Sequence, residues 1–150
     1  MDLILWRHAE AVDGLPDMDR ALTKKGQQQA TRMAEFLSAR LPSDTRVLVS
    51  PALRTQQTAS ALNKKFITEP AISPGMSAQA AIFASGWPNA SGTTLLVGHQ
   101  PWIGEVASFL MTGTEHYWSV KKGSIIWLSK RQRAGYDETV LKLVIAPEQL

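Results

Sequence analysis

Three short apolar runs, Leu3 to Trp6, Val47 to Val49 and Thr93 to Val97, break off into polar residues, and each is followed by apolar residues at helical spacing. Such runs, rich in Leu, Ile and Val and lacking polar alternation, suit strands buried on both faces. Thr23 reads as the N-cap of a helix carrying Ala30, Met33, Ala34, Leu37 and Leu41. Ser50 reads as a second N-cap, with Pro51 at the first helical position and Leu53, Ala61 and Leu62 following to about Lys65. Met76, Ala80, Phe83 and Trp87 mark a helix ending near Pro88, and Ile103, Val106, Ala107 and Leu110 mark one opened by Pro101. A short strand is expected over 66–70. Strands over 124–129 and 139–145, flanking the polar segment 131–138, predict a hairpin. This alternation predicts an α/β fold, a three-layer α/β/α sandwich around a largely parallel mixed sheet.

At 150 residues and 44% hydrophobic content, without linker, repeat or low-complexity stretch, the chain is expected to form a single domain over 1–150. It contains no cysteine, which excludes disulfide scaffolds, thiolate metal sites and cysteine nucleophiles. An acid at position 2 and a short apolar run do not make a signal peptide, and no run is long enough to span a bilayer. A soluble, cytoplasmic protein with no membrane partner is expected. The net charge is +3, and the dense basic stretch Lys130-Arg131-Gln132-Arg133, with Lys121-Lys122 nearby, reads as a solvated hairpin face. Without aromatic interleaving it gives no nucleic-acid signature. The three histidines lack the i, i+4 spacing of helical zinc sites, so no metal is expected.

The predicted strands run into Arg7-His8, into Ser50-Pro51 with Arg54 close behind, and into Gly98-His99. Open α/β sheets bind ligands beyond the carboxyl ends of their strands, which makes these distant segments candidates for one site. Two guanidinium forks and two helix N-termini suit a phosphate. One imidazole can attack phosphorus through an unprotonated nitrogen while the other, cationic beside the anion, donates to an equatorial oxygen. Charge in phosphoryl transfer spreads over those oxygens, so fixed positive donors can carry the catalysis without a cofactor. Taken singly, each residue also has a plain structural reading as a polar strand end, a solvated helix charge or a helix-start histidine.

Leu5-Trp6-Arg7-His8-Ala9-Glu10-Ala11 resembles the Arg-His-Gly signature of the histidine phosphatase, or phosphoglycerate mutase-like, superfamily. Leu22-Thr23-Lys24-Lys25-Gly26-Gln27-Gln28-Gln29-Ala30 resembles its LTxxGxxQA segment, and Ser50-Pro51-Ala52-Leu53-Arg54-Thr55-Gln56-Gln57-Thr58-Ala59 its SPxxRAxQTA segment. Leu96-Val97-Gly98-His99-Gln100-Pro101 is similar to the second-histidine segment, and with the short chain it looks most like the SixA-type phosphohistidine phosphatase branch. The resemblance implies the phosphoglycerate mutase-like fold and a covalent phosphohistidine on His8. It further implies phosphate binding and transition-state stabilisation by Arg7, Arg54 and His99. Ser50 is a possible accessory residue, orienting the pocket as an N-cap. Ala9 stands where the family has glycine, and Thr55 where alanine is common.

Larger members of the family carry an acidic proton donor in an insertion, whereas here residues 66 to 98 hold only Glu69. Glu10, two residues from His8, is the accessory candidate, with pairing to an arginine as its plain alternative. An alcohol leaving group needs a proton, whereas imidazole leaving a phosphoramidate can be protonated on its distal nitrogen beforehand. The missing acid favours phosphohistidine on a partner protein, such as a phosphotransfer or phosphocarrier domain, and short connections suggest a shallow mouth. The alternatives are a small phosphate monoester as substrate, or a non-catalytic phosphate-binding module. Trp87, Trp102, Trp118 and Trp127 read as packing, with Trp102 the one expected to wall the pocket; His116 is expected to be exposed.

Overall fold

The computed structural model describes residues 1–150 as one six-stranded sheet with helices on both faces. The strands are β1 (Asp2–Arg7), β2 (Arg46–Val49), β3 (Ile67–Thr68), β4 (Thr93–Gly98), β5 (Ile125–Arg133) and β6 (Tyr136–Ile145), and the helices are α1 (Lys24–Ser38), α2 (Leu53–Ser60), α3 (Ala78–Ser85) and α4 (Trp102–Thr112). Sheet order is β3-β2-β4-β1-β5-β6, with the first four strands parallel and the last two an antiparallel hairpin. No helix is long and apolar enough to cross a membrane.

The apolar runs are continuous because both faces of the sheet are covered. Leu3 and Leu5 of β1, Leu48 of β2 and Leu96 of β4 pack with Ala78 and Ala81 of α3 and Ile103, Val106 and Ala107 of α4. Ile4, Trp6, Val47, Val49, Leu95 and Val97 point the other way, onto Met33, Ala34 and Leu37 of α1 and Ala59 of α2. A one-residue slip of any central strand would therefore exchange one core for the other.

Thr23 caps α1 as expected, its side chain accepting the Gly26 N–H. Ser50 does not cap α2: that helix begins at Leu53 with Ala52 at the N-cap position, and it ends at Ser60 rather than near Lys65. Pro51 stays in a bend between strand and helix, leaving Ser50 free for another contact. Helix α3 forms, but its buried face is Ala78, Ala81 and Ser85; Phe83 and Met76 lie exposed, because the small residues fit closer to the sheet. The polar segment 131–138 is paired strand rather than a flanked loop. The ladder continues to Arg133 opposite Tyr136, and ion pairs cross it from Lys130 to Asp137, on the diagonal, and from Arg131 to Glu138, directly opposite. His116 is exposed, as expected.

Candidate active site

Register alone brings the predicted residues together. Arg7 lies opposite Gly98 and Val49 opposite Val97, so β1, β2 and β4 end side by side. The His8 N–H then donates to the Gly98 carbonyl at 3.0 Å and the Ser50 N–H to the Val97 carbonyl at 3.1 Å. The His8 and His99 rings face each other with centroids 5.4 Å apart, and Arg54 enters from the first turn of α2. His8, Arg54 and His99 are 6%, 4% and 2% exposed, so the site is recessed rather than shallow. The Asp17 end of the segment between Val12 and Arg20 is tied onto Arg54, an overhang that chain length alone does not reveal.

Hydrogen bonds fix the state of each imidazole. His8 Nδ1 lies 2.7 Å from the Ala9 carbonyl oxygen, which can only accept, so Nδ1 carries the proton and Nε2 keeps its lone pair. His99 Nε2 lies 2.7 Å from Ser50 Oγ. Of the two partners of Ser50 Oγ, the Ala52 N–H at 3.3 Å can only donate, so His99 Nε2 is the acceptor available to the hydroxyl hydrogen, which sets the proton of His99 on Nδ1. Burial, then the charges of Arg7, Arg54 and Arg20, press the His8 pKa down to about 4 against the opposing Ala9 bond. Burial, His8 and Arg54 press His99 to about 2, with Asp17 opposing. Both rings are neutral at pH 7.

Both arginines are anchored through their terminal nitrogens. Arg7 Nη1 donates to the Val120 carbonyl at 2.6 Å, and Arg54 donates through Nη1 to the Asp17 carbonyl at 2.8 Å and through Nη2 to the Asp17 carboxylate at 3.1 Å. Arg7 Nε, Arg54 Nε and His99 Nδ1 are buried N–H donors without a protein acceptor, as is Trp102 Nε1 in the core. Native interiors seldom leave one such donor unpaired, and three in neighbouring site residues call for an acceptor with several oxygens.

Asp17 is the participant that the sequence did not disclose. Hydrogen bonds from Arg20 and Arg54 hold its carboxyl below the ordinary carboxylate range, against partial burial. Its place in an acidic loop gives no periodic or motif signal. Glu10 makes no salt bridge with any arginine; its Oε2 is sheltered without a partner, and its backbone joins α1 through Gln29 and Thr23. Glu69 caps the short 3-10 turn Pro70–Ile72 by accepting the Ala71 N–H. Trp102 does not wall the pocket: it is wholly buried, its ring packed against Gly98 where a side chain would stand.

The motif spacings have a mechanical basis. A Cβ on Gly26 would collide with the Glu10 carbonyl oxygen, so glycine lets the first turn of α1 close on the segment after His8. Thr58 Oγ1 accepts the Ala9 N–H, and Gln57 Oε1 accepts the Leu22 N–H. Ala9 fits without a positive φ, its methyl buried with Ala11, Leu22 and Ala30. Thr55 makes a contact that alanine could not, its hydroxyl donating to the Ser50 carbonyl at 2.9 Å.

An α/β/α sandwich with a cationic, two-histidine cup at its strand ends defines a phosphoryl-handling protein of the phosphoglycerate mutase-like fold. The family model of the histidine phosphatase superfamily (branch 1) matches residues 3–80, and the chain belongs to that superfamily. An uncharacterised protein of Picosynechococcus sp. is 34% identical over 139 residues, covering 85% of this chain and 84% of that protein. A structure of the protein histidine phosphatase SixA complexed with tungstate aligns with TM-score 0.81 over 99% of both chains at 22% identity. A mutant phosphoserine phosphatase of Entamoeba histolytica in complex with phosphoserine aligns with TM-score 0.72 at 20% identity, over 99% of this chain and 98% of that one.

Proposed function

We propose that residues 1–150 form one phosphatase domain that hydrolyses phosphohistidine on a partner protein through a covalent intermediate on His8. The observation that carries this reading is the trio of unpaired buried donors, Arg7 Nε, Arg54 Nε and His99 Nδ1, around a histidine whose Nε2 lone pair is free. A phosphoryl group has three oxygens to meet those donors. His8 Nε2 attacks phosphorus, the partner's imidazole leaves, and both arginines and His99 hold the equatorial oxygens as their charge is redistributed. The bound dianion reverses the local charge that suppresses protonation of His99 and so strengthens its donation. Water then attacks the phosphohistidine, releasing phosphate and returning His8.

Leaving-group chemistry supports the choice of substrate. Asp17 is held ionised by two arginines and Glu69 is committed to a cap, which leaves Glu10 as the nearby carboxyl in sequence able to serve as a donor. An imidazole protonated on its distal nitrogen departs without such a donor. Recession of the site favours the second reading, a small phosphate monoester, because a small molecule passes the overhang easily.

The test compares phosphate release from histidine-phosphorylated carrier proteins with release from small esters, alongside trapping of labelled phosphate on the chain. Label on the unaltered protein, lost in His8→Ala, together with preference for the phosphoproteins is the expected result. Preference for esters would overturn the substrate assignment, and absence of label during turnover would overturn the covalent step.

A further inference from the structure

We infer that the groove between α4 and the β5–β6 hairpin is the docking site for an amphipathic helix, flanked by acidic residues, of the protein that presents the phosphohistidine. This rests on the proposed function and extends it from the phosphoryl group to the surface that brings it.

The groove is a consequence of sheet topology. Beyond Ile126 and Leu128, which are buried on the α4 side, the hairpin turns Leu141 and Val144 to the same face. The irregularity between Trp127 and Leu128 inserts one residue into β6, so side chains three positions apart share that face. Helix α4 approaches β6 without enclosing them, and they are 48% and 56% exposed. Met111 of α4 lines the opposite wall, and Tyr117 and Trp118, 72% and 41% exposed, lie along the rim. The cavity measures about 530 Å³, room for a few apolar side chains.

The segment that walls the groove also braces the cup. The wall includes Val120, whose carbonyl holds Arg7 Nη1, and Ser124, whose carbonyl accepts the Arg7 N–H. Gln100, next to His99, donates to the Trp118 carbonyl at 2.7 Å and accepts the Gly104 N–H at 2.8 Å, locking the rim to the second-histidine loop. A surface seated here is held in register with the site by the backbone that positions the catalytic groups.

Charge selects the occupant. Lys121 lines the groove, Lys122 follows it exposed, and no aspartate or glutamate lies in the lining. A helix with apolar residues one and two turns from its phosphohistidine fills the groove while its acids meet these lysines.

The experiment measures kcat/KM for a panel of histidine-phosphorylated phosphotransfer and phosphocarrier proteins, and for phosphoramidate as the small probe, in the unaltered chain, Leu141→Asp and Trp118→Ala. Both side chains are partly exposed, and circular dichroism and the melting curve confirm folding. The expected result is a strong preference of the unaltered chain for at least one phosphoprotein. Each variant should then lose about 10- to 100-fold on that protein through KM, the scale of interface hot spots, with phosphoramidate turnover unchanged. Unchanged protein turnover in both variants, an equal fall on both probes, or no protein preference in the unaltered chain overturns the inference. So does a dimer of the unaltered chain by light scattering that Leu141→Asp dissociates, since the occupant is then a second copy. Failure of the functional reading looks different: neither phosphoproteins nor phosphoramidate are hydrolysed, whatever the variant.

Discussion

Ser50 Oγ and His99 Nε2 stand 2.7 Å apart, and the rest of Ser50 is fully engaged: its carbonyl takes the Thr55 hydroxyl and the Gln56 side-chain amide, and Oγ takes the Ala52 N–H. The hydroxyl hydrogen therefore serves His99, turning the Nδ1–H outward to whatever acceptor the site holds. Ser50→Ala removes the hydrogen bond that selects this tautomer. The expected loss is about 10- to 100-fold in kcat, the scale of a lost positioning contact for a charge-stabilising donor, with KM nearly unchanged and a normal circular dichroism spectrum. Unchanged kcat would show that the imidazole orients itself without the serine.

Arg54 and Asp17 form a pair in which the anion competes with the substrate for the cation. Arg54→Ala should cost about 10²- to 10³-fold or more in kcat/KM because the guanidinium acts most strongly on transition-state charge. Asp17→Asn keeps the backbone carbonyl that orients Nη1 but removes the negative charge beside Nη2. Inorganic phosphate should then inhibit about three- to tenfold more tightly, a Coulombic effect moderated by the half exposure of Asp17. Weaker inhibition would mean that Asp17 acts mainly as a support for the arginine.

What could be read before the coordinates follows from how local each cause is. β1, β2 and β4 declare themselves because burial on both faces leaves no charged residue and no polar alternation in the run, and Arg7, His8, Arg54 and His99 lie within a turn of their ends. Thr23 is legible as a cap because the bond it makes spans only to Gly26. Ser50 offers the same hydroxyl, but its partner His99 lies 49 positions away, so local grammar assigns it the wrong role. Asp17 on Arg54 is 37 positions distant and belongs to an irregular loop, where no period constrains it. The face of α3 was misread because its core positions are alanine and serine, chosen for close approach, while Phe83 sits in solvent.

The two suppressed imidazoles make stability depend on pH with a definite sign. His8, at about 4 in the folded chain and near 6.5 in the unfolded one, binds its proton in the unfolded state first. Its contribution is complete above pH 6.5 and is lost as pH falls toward 4; the loss is roughly 3 kcal/mol by the conversion of pKa difference to free energy. His99 acts in the same direction and extends the loss to lower pH. Urea midpoints should therefore fall between pH 7 and pH 4.5, and His8→Gln should flatten that slope. A midpoint independent of pH across this window would show that the rings are solvated in the folded state.

Gly98 sits one residue before His99, and the space beside its Cα is filled by the outer ring atoms of Trp102, which is itself wholly enclosed. A methyl group there collides with an aromatic ring that has no room to retreat, so Gly98→Ala must displace either the ring or the end of β4. The expected cost is about 2 kcal/mol or more, the range of overpacked cores. His99 should move with the strand and carry kcat down as well. Trp102→Phe removes the atoms that the methyl meets. Combined with Gly98→Ala it should recover part of both losses, a favourable coupling in a double-mutant cycle of melting temperature and kcat. Simple additivity would locate the strain elsewhere, in the backbone of β4 rather than against the tryptophan.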